Sequence, residues 1–393
     1  MHGHRNSKNL GIINPKAQKC YNLEGGVERK GQLRIIEFSG LMKVNPVHID
    51  NLDPNIEKNM VKRSMVRFRN SELVKEKNFG SISSFNFTKD AFFHKRWNSE
   101  SMKARGLFIN IKTNDVVARS YDKFFNINEK EDTQYEILRE TMMYPLTAYV
   151  KENGYLGILG WDYQSNKPVF ASKSILHPDN INIADTSNKS LYAIIFKNIF
   201  NKTVSLYNQE KIFDYIKKNN VSFVFEVISP ELDPHIIKYE ESQIVLLDII
   251  TNSIKYDCYL YLTMSEIAKK FELKYKKIAY IIRCKEDFDR LYADANDKHF
   301  LLENNPVEGF VIKDSIGRMV KIKTYYYNKW KKIRSLLPII LDIASDVQLD
   351  KFINNNDFDF DTENVIRYIY KNKNNYTSKT SIITIREDYL KAF

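Results

Sequence analysis

The feature that most limits how this chain can fold is the shortness of its apolar runs. From about Ser84 onward it is cut into "RGLFINI", "YLGILGWDY", "VSFVFEVIS", "SQIVLLDII", "EGFVIKD" and "RMVKIKT". All are rich in β-branched or aromatic residues and bounded by turn formers, so all predict strands. Helical patterns lie between them: "LYAIIFKNIF", "SEIAKKFELKY" with Ser265 expected as its cap, and "KEDFDRLYADAN". Strand clusters separated by helices predict an α+β fold with largely antiparallel sheets. "EGFVIKDSIGRMVKIKT" predicts a hairpin turning at "DSIGR", with Val320 and Ile322 on one face and Lys321 and Lys323 on the other. Beyond Trp330 the pattern is helical, with Pro338 expected to interrupt the first helix. "VKRSMVRFRNSELVKEK", from Val61 to Lys77, predicts a helix with a cationic face. The chain thus divides into a basic N-terminal extension (1–83), a main α+β domain (84–328) and a small helical C-terminal domain (329–393).

Hydrophobic residues make up 43% of the 393 and aromatics 13%, enough for a substantial core, which excludes wholesale disorder. A net charge of +11 favours a polyanionic partner. Cys20, Cys258 and Cys284 have no metal-ligand spacing and are expected to be reduced thiols in a cytosolic or nuclear setting. No apolar run approaches the ~20 residues of a membrane span, and the start lacks the apolar segment of a signal peptide. The expectation is a soluble protein with no membrane partner.

Four constellations carry chemistry. Lys151 in "KENG" stands three residues before Gly154, at the mouth of a strand. Lone lysines there are commonly solvated charges; as a nucleophile this one needs its pKa lowered by burial or neighbouring cations. Glu226 sits inside the apolar "FVFEV", where a carboxylate is costly unless it is paired or holds a metal. Glu308-Gly309 opens one hairpin strand, and Lys321 and Lys323 share a face of the other. Like charges on one face repel, so a shared anion such as a phosphate chain would account for them; taken in isolation, a solvated strand edge is the commoner alternative. A nucleophile, acids to hold a divalent metal, and lysines to neutralise phosphate charge are together what covalent nucleotidyl transfer needs.

In this order the motifs resemble a covalent nucleotidyltransferase of the RNA ligase 1 family, with the nearest likeness to the sealing domain of fungal-type tRNA ligases. "KENG" resembles that family's motif I, "FVFEV" motif III, "EGFVIK" motif IV and "VKIK" motif V. "ARGLFIN" and "YDKFFNINE" resemble segments that set this group apart from DNA ligases and capping enzymes, and "ASKSI", with Lys173, occupies the place of the family's lysine after motif I. The resemblance runs from about residue 84 to Tyr327. It implies a covalent nucleotidyltransferase (ATP-grasp-like ligase) fold over 84–328. It also implies ATP as co-substrate, Mg2+ or Mn2+, and RNA as partner. Lys151 would accept AMP. Arg105, Lys123, Phe125, Asn153, Gly154 and Lys173 would line the nucleotide and RNA-phosphate pocket. Glu226 and Glu308 would place the metal, with Glu308-Gly309 also at the nucleotide ribose. Lys321 and Lys323 would grip phosphates, with Tyr327 close by. Asn153 departs from the Asp of many phage relatives, while the fungal-type pattern accepts Asn.

The implied activity is ATP-dependent sealing of RNA 3′-OH and 5′-phosphate ends in RNA repair or tRNA splicing. The sequence contains neither GxxxxGK[ST] nor an HxTx pair, so end-healing kinase and phosphodiesterase steps are expected in trans. A DNA ligase or capping enzyme would append an OB-fold of about five strands, whereas the last 65 or so residues read as helix. A catalytically silent RNA-binding relative would show degraded motifs, and here every charged position is filled.

Overall fold

The computed structural model describes residues 33–39 and 43–49 as backbone, and residues 54–181, 190–232 and 235–392. Its architecture is α+β, as the strand pattern requires. In chain order come β1 (Leu33–Ser39), β2 (Lys43–Ile49), α1 (Pro54–Asn70), β3 (Val74–Asn78) and β4 (Ile82–Phe87). Two short helices follow, α2 (Lys89–Phe93) and α3 (Ser99–Lys103), then β5 (Leu107–Asn110), β6 (Asp115–Arg119) and β7 (Phe125–Asn126). The middle of the chain holds α4 (Tyr135–Thr141), β8 (Leu146–Lys151), β9 (Tyr155–Asp162) and β10 (Lys167–Ser172). Next are α5 (Leu191–Thr203), α6 (Leu206–Asn219), β11 (Val221–Ile228), β12 (Gln243–Thr251), α7 (Tyr261–Lys270) and β13 (Ile278–Ile282). The last stretch runs through α8 (Lys285–Asn296), β14 (Gly309–Lys313), β15 (Met319–Lys323) and α9 (Tyr325–Asp342). It closes with α10 (Asp346–Asn354), α11 (Phe360–Lys371) and α12 (Ile382–Ala392).

β1 and β2 pair as a hairpin, and the remaining strands form three sheets, in the orders β3-β4-β5-β6, β10-β9-β11-β12 and β13-β8-β14-β15-β7. Among the described residues every strand pairing is antiparallel except that of β15 with β7. Alternation decides what each face does. In the five-stranded sheet Ala148, Phe310, Ile312, Val320 and Ile322 face inward and pack with Leu138 of α4 and Phe288 and Leu291 of α8. Their alternate neighbours Lys151, Lys321 and Lys323 therefore share the opposite face. The sheet of β9–β12 buries its own apolar face under α5, α6 and α7.

The structure corrects several sequence expectations. The division after residue 83 falls inside β4, because α1 packs Val61, Met65 and Phe68 against Phe85, Leu107 and Val116 of the β3–β6 sheet. The helix expected over Val61–Lys77 ends at Asn70 and gives way to β3. Ser265 is not a cap but lies within α7, where its hydroxyl donates to the Leu262 carbonyl at 2.8 Å. Pro338 does not break α9 either; it lies on the exposed side of the helix, where water can replace the missing backbone donor. Helices α9 to α12 share a core of their own, built on Trp330, Ile333, Leu337, Ile366, Ile369 and Ile385. Cys258 and Cys284 are free thiols, and Cys20 lies outside the described residues. Among the described residues no helix is long and apolar enough to cross a membrane.

Candidate functional site

Strand register assembles the centre of the site. Gly309 lies opposite Lys151 of β8 on one side and Lys323 of β15 on the other, so the two lysines flank a residue without a side chain. Only glycine fits there: φ is +148°, and a Cβ would lie 2.0 Å from the Ile322 carbonyl oxygen. The preceding residue, Glu308, turns its buried carboxylate into the gap. Its Oε2 is 3.0 Å from Lys151 Nζ, and its Oε1 is 3.2 Å from Lys323 Nζ. A third donor, Asn153 Nδ2, reaches Oε2 at 2.8 Å. Burial alone would raise the Glu308 pKa, but the two ammonium groups outweigh it and hold the carboxyl below its ordinary range.

The turn between β8 and β9 closes the second side. The Gly154 amide donates to Glu226 Oε1 at 2.8 Å, and this approach is tight enough that a Cβ on Gly154 would lie 2.2 Å from the Val227 carbonyl oxygen. Asn153 is a buried crosspiece. Its Oδ1 accepts from the amides of Ile236 at 2.9 Å and Ile237 at 3.0 Å, while its own amide donates to the Tyr239 hydroxyl at 2.8 Å. Tyr239 in turn donates to Glu152 Oε2 at 2.9 Å. The Ile236 carbonyl accepts from Arg386 Nη1 at 2.6 Å, which ties this turn to α12. A continuous line of hydrogen bonds thus runs from the C-terminal helices through Asn153 and Glu308 to Lys151.

The protonation of Lys151 reverses the expectation. Desolvation pushes its pKa down, but Glu308 and then Glu226 act in the opposite sense and win, leaving the ammonium more stable than that of a free lysine. The Glu226 pKa is also raised, here by burial, which Lys151 only partly offsets. Tyr327, in the first turn of α9, places its ring 4.5 Å from Lys323 Nζ. Its hydroxyl pKa is pushed up to about 12 by burial and by Glu308.

A second group of cations adjoins this centre without equal compensation. Lys321, half-buried on β15, has its pKa driven well down by burial and by Lys123, Arg105 and Lys151. Arg105 is lowered by burial. Lys123 is lowered first by burial; Glu129 at 3.2 Å opposes this, while Arg105 and Lys130 add to it. Lys173, just after β10, is brought down to about 8 by desolvation of its ammonium and by Arg105 and Lys123. The floor beneath these charges is aromatic. Lys123 Nζ is 3.8 Å from the Phe125 ring centre and 5.0 Å from that of Trp97, and Lys173 Nζ is 4.0 Å from that of Phe87. Phe125 is therefore a buried support for lysines.

Among the described residues no three His, Cys, Asp or Glu side chains gather into a metal cluster. A magnesium-type cation that keeps its waters and shares substrate phosphates takes only one or two protein carboxylates, so two carboxylates beside Lys151 are a chemically sufficient donor set. Glu308 is engaged by three donors, which makes Glu226 the better placed of the two. All the candidates therefore fall into one region with two characters: Lys151, Asn153, Gly154, Glu226, Glu308, Gly309, Lys323 and Tyr327 in a paired centre, and Arg105, Lys123, Phe125, Lys173 and Lys321 in a cationic annex. Trp97, Glu129, Glu152, Tyr239 and Arg386 escaped the sequence reading. Glu129 and Glu152 had a local signal, lying in the quoted "YDKFFNINE" and "KENG".

Comparison with known proteins gives this arrangement a family. Residues 103–331, more than half of the chain and all thirteen candidates, match the family model described as RNA ligase. The chain belongs to the RNA ligase family. The tRNA ligase of Candida albicans is 23% identical over 262 residues, covering 62% of this chain and 31% of that protein. The chain thus spans about a third of the length of that curated relative. Among solved structures, an archaeal ATP-dependent RNA ligase is similar at a TM-score of 0.48 and 11% identity, covering 84% of this chain and 78% of that one. A Naegleria gruberi RNA ligase with pyrophosphate is similar at 0.39 and 15%, covering 54% and 58%.

Proposed function

We propose that the protein is an ATP-dependent RNA ligase and that Lys151 is its nucleophile. The neutral amine attacks the α-phosphorus of ATP, forming a P–N bond as the bond to pyrophosphate breaks. A 5′-phosphate oxygen of the RNA then displaces the lysine and takes up AMP. Finally a 3′-hydroxyl attacks that 5′-phosphate, forming the phosphodiester and releasing AMP.

The observation that carries this reading is the row Lys151–Gly309–Lys323, with Glu308 bridging the two lysines. Lys151 and Lys323 are held on one face around a single anion, the Glu308 carboxylate, so a phosphate that takes its place meets nucleophile and counter-charge together. Before attack the Lys151 ammonium must lose its proton. An arriving triphosphate takes over Lys323 as a partner and frees Glu308 to rearrange. Glu226 is the carboxylate assigned to a divalent cation, Mg2+ or Mn2+, which when bound would neutralise phosphate charge. Lys321, Lys123, Arg105 and Lys173 are assigned to the remaining phosphates and the RNA 5′ end.

The substrate is proposed to be broken or spliced tRNA-like RNA, by analogy with the tRNA ligase of Candida albicans, and its ends to be healed by activities outside this sequence. The division into a ligase domain and a helical C-terminal domain is also proposed, with α1, β3 and β4 assigned to the former. The test is incubation with labelled ATP and magnesium followed by denaturation. Label retained by the native chain and absent from Lys151→Ala is the expected result; preferential labelling from GTP would move the reading to capping chemistry.

A further inference from the structure

The cationic annex continues outward along a ladder of aromatic rings. Phe125 contacts Trp97 edge to face at 5.3 Å, Trp97 contacts Phe87 in the same way at 5.1 Å, and Phe87 lies nearly parallel to Phe92 at 6.3 Å and 15°. Phe92 meets Phe93 at 5.3 Å. Burial decreases along the series: Phe125 is 4% exposed, Phe92 49% and Phe93 70%. The outer rings come from "KDAFFHKRW", in which Lys89 and Lys95 are also exposed. His94 and Arg96, in the same stretch, pair with Asp90 at 2.8 and 2.9 Å. Two adjacent phenylalanines left to solvent on a five-residue helix contribute little to the core. The inner rungs carry Lys123 and Lys173, whose mutual repulsion an anion would relieve.

We propose that this ladder is the docking track for the single-stranded 5′-phosphate end of the RNA, with Phe92 and Phe93 as base-stacking platforms and Lys173 and Arg105 at the strand's backbone. This rests on the ligase reading above and adds to it the outer rings Phe87, Phe92, Phe93 and Trp97, which lie outside every motif quoted for the site. Charge complementarity and continuity with the phosphate-binding annex select the occupant. Aromatic faces interleaved with cations are what sequence-tolerant binding of single strands requires. From Lys173 to the Phe92 ring is at most about 10 Å, the length of roughly three stacked nucleotides at ~3.4 Å each. The platforms therefore meet bases within the first few nucleotides of the phosphate held in the annex.

The test uses the full chain and the double variant Phe92→Ala/Phe93→Ala, with a 5′-phosphorylated single-stranded oligoribonucleotide as probe. Labelling by ATP, which needs no RNA, should be unchanged, and thermal stability should stay close to wild type. Oligonucleotide affinity, read by fluorescence anisotropy, should fall by about tenfold per lost stack. A 2-aminopurine placed at the second or third nucleotide should be quenched by wild type and not by the variant. Phe92→Trp/Phe93→Trp should restore both readouts. Unchanged RNA affinity with normal ATP labelling overturns the track while leaving the ligase reading intact. So does a drop in stability without a selective loss of RNA binding, which would mean that the rings cover another part of this chain. A wild-type protein that neither labels with ATP nor binds the probe overturns both.

Discussion

The paired centre and the cationic annex are built from the same residue types and adjoin each other, yet their charges are handled in opposite ways. In the centre Glu308 answers both Lys151 and Lys323, and Asn153 supplies a third donor to the same carboxylate. In the annex burial lowers the pKa of Arg105, Lys123, Lys173 and Lys321, Arg105 adds to this at all three lysines and Lys123 at the other two, with Glu129 the carboxylate paired to Lys123. A closed network needs nothing from outside and can be stable at rest with Lys151 protonated. An open one is incomplete until an anion arrives. On the proposed function the first would carry reaction and the second recognition, and mutations should separate them.

The largest effect belongs to Glu308→Ala. It leaves two partly buried ammonium groups and an amide without their acceptor, and removing one partner of a buried pair costs about 3–5 kcal/mol. Since Lys151 and Lys323 keep about a fifth of their side-chain surface exposed, the lower end applies. Thermal unfolding should show that loss. Gel assays should show at least about a hundredfold loss of sealing on both phosphorylated and pre-adenylated RNA. Full stability in this variant would mean that the centre is not a closed network. Asn153→Asp comes next. The Ile236 and Ile237 amides keep an acceptor, but Glu308 loses a donor and gains a like charge at hydrogen-bond distance. We expect about 1–3 kcal/mol of destabilisation and roughly tenfold slower labelling by ATP. Faster labelling would show that the position wants an anion.

Lys321→Met should do the reverse. Removing one cation from a crowded set should leave stability unchanged or slightly higher, while ATP affinity measured by calorimetry falls about tenfold. A clear loss of stability would place Lys321 with the centre. The smallest signal is in titration. Competitive acylation followed by mass spectrometry should give Lys173 a midpoint near 8, whereas Lys151 should stay protected beyond the range of ordinary lysines. A lysine whose folded pKa lies below its unfolded value of ~10.4 destabilises the fold at lower pH. The unfolded chain then binds more protons, so this contribution should improve as pH rises from about 8 to about 10. Equal midpoints would erase the distinction between the two regions.

Much of the site could be read in the sequence because its chemistry lies in short motifs on strands. Alternation placed Lys321 and Lys323 together, and the apolar setting of Glu226 marked it as unusual. Pairwise balance was not readable. Burial of Lys151 suggested a lowered pKa, and only the register that sets Gly309 beside it reveals Glu308 at 3.0 Å with the opposite effect. The crosspiece at Asn153 was hidden because its partners are 83 and 84 residues away along the chain. At the N-terminal side, the polar pattern concealed three apolar contacts, Val61, Met65 and Phe68, that fasten α1 to the sheet. Pro338 misled because proline breaks helices where its missing donor is buried, and here it faces solvent.

The central claim is that Lys151 is the residue that accepts AMP, and peptide mapping of the labelled protein tests it most directly. After incubation with ATP and magnesium, digestion and tandem mass spectrometry should find AMP on the lysine of the peptide containing "YVKENGYLGIL". Lys151→Ala should carry none, yet should still seal RNA supplied with a 5′-adenylate. AMP on another lysine, or normal labelling of Lys151→Ala, would contradict the account.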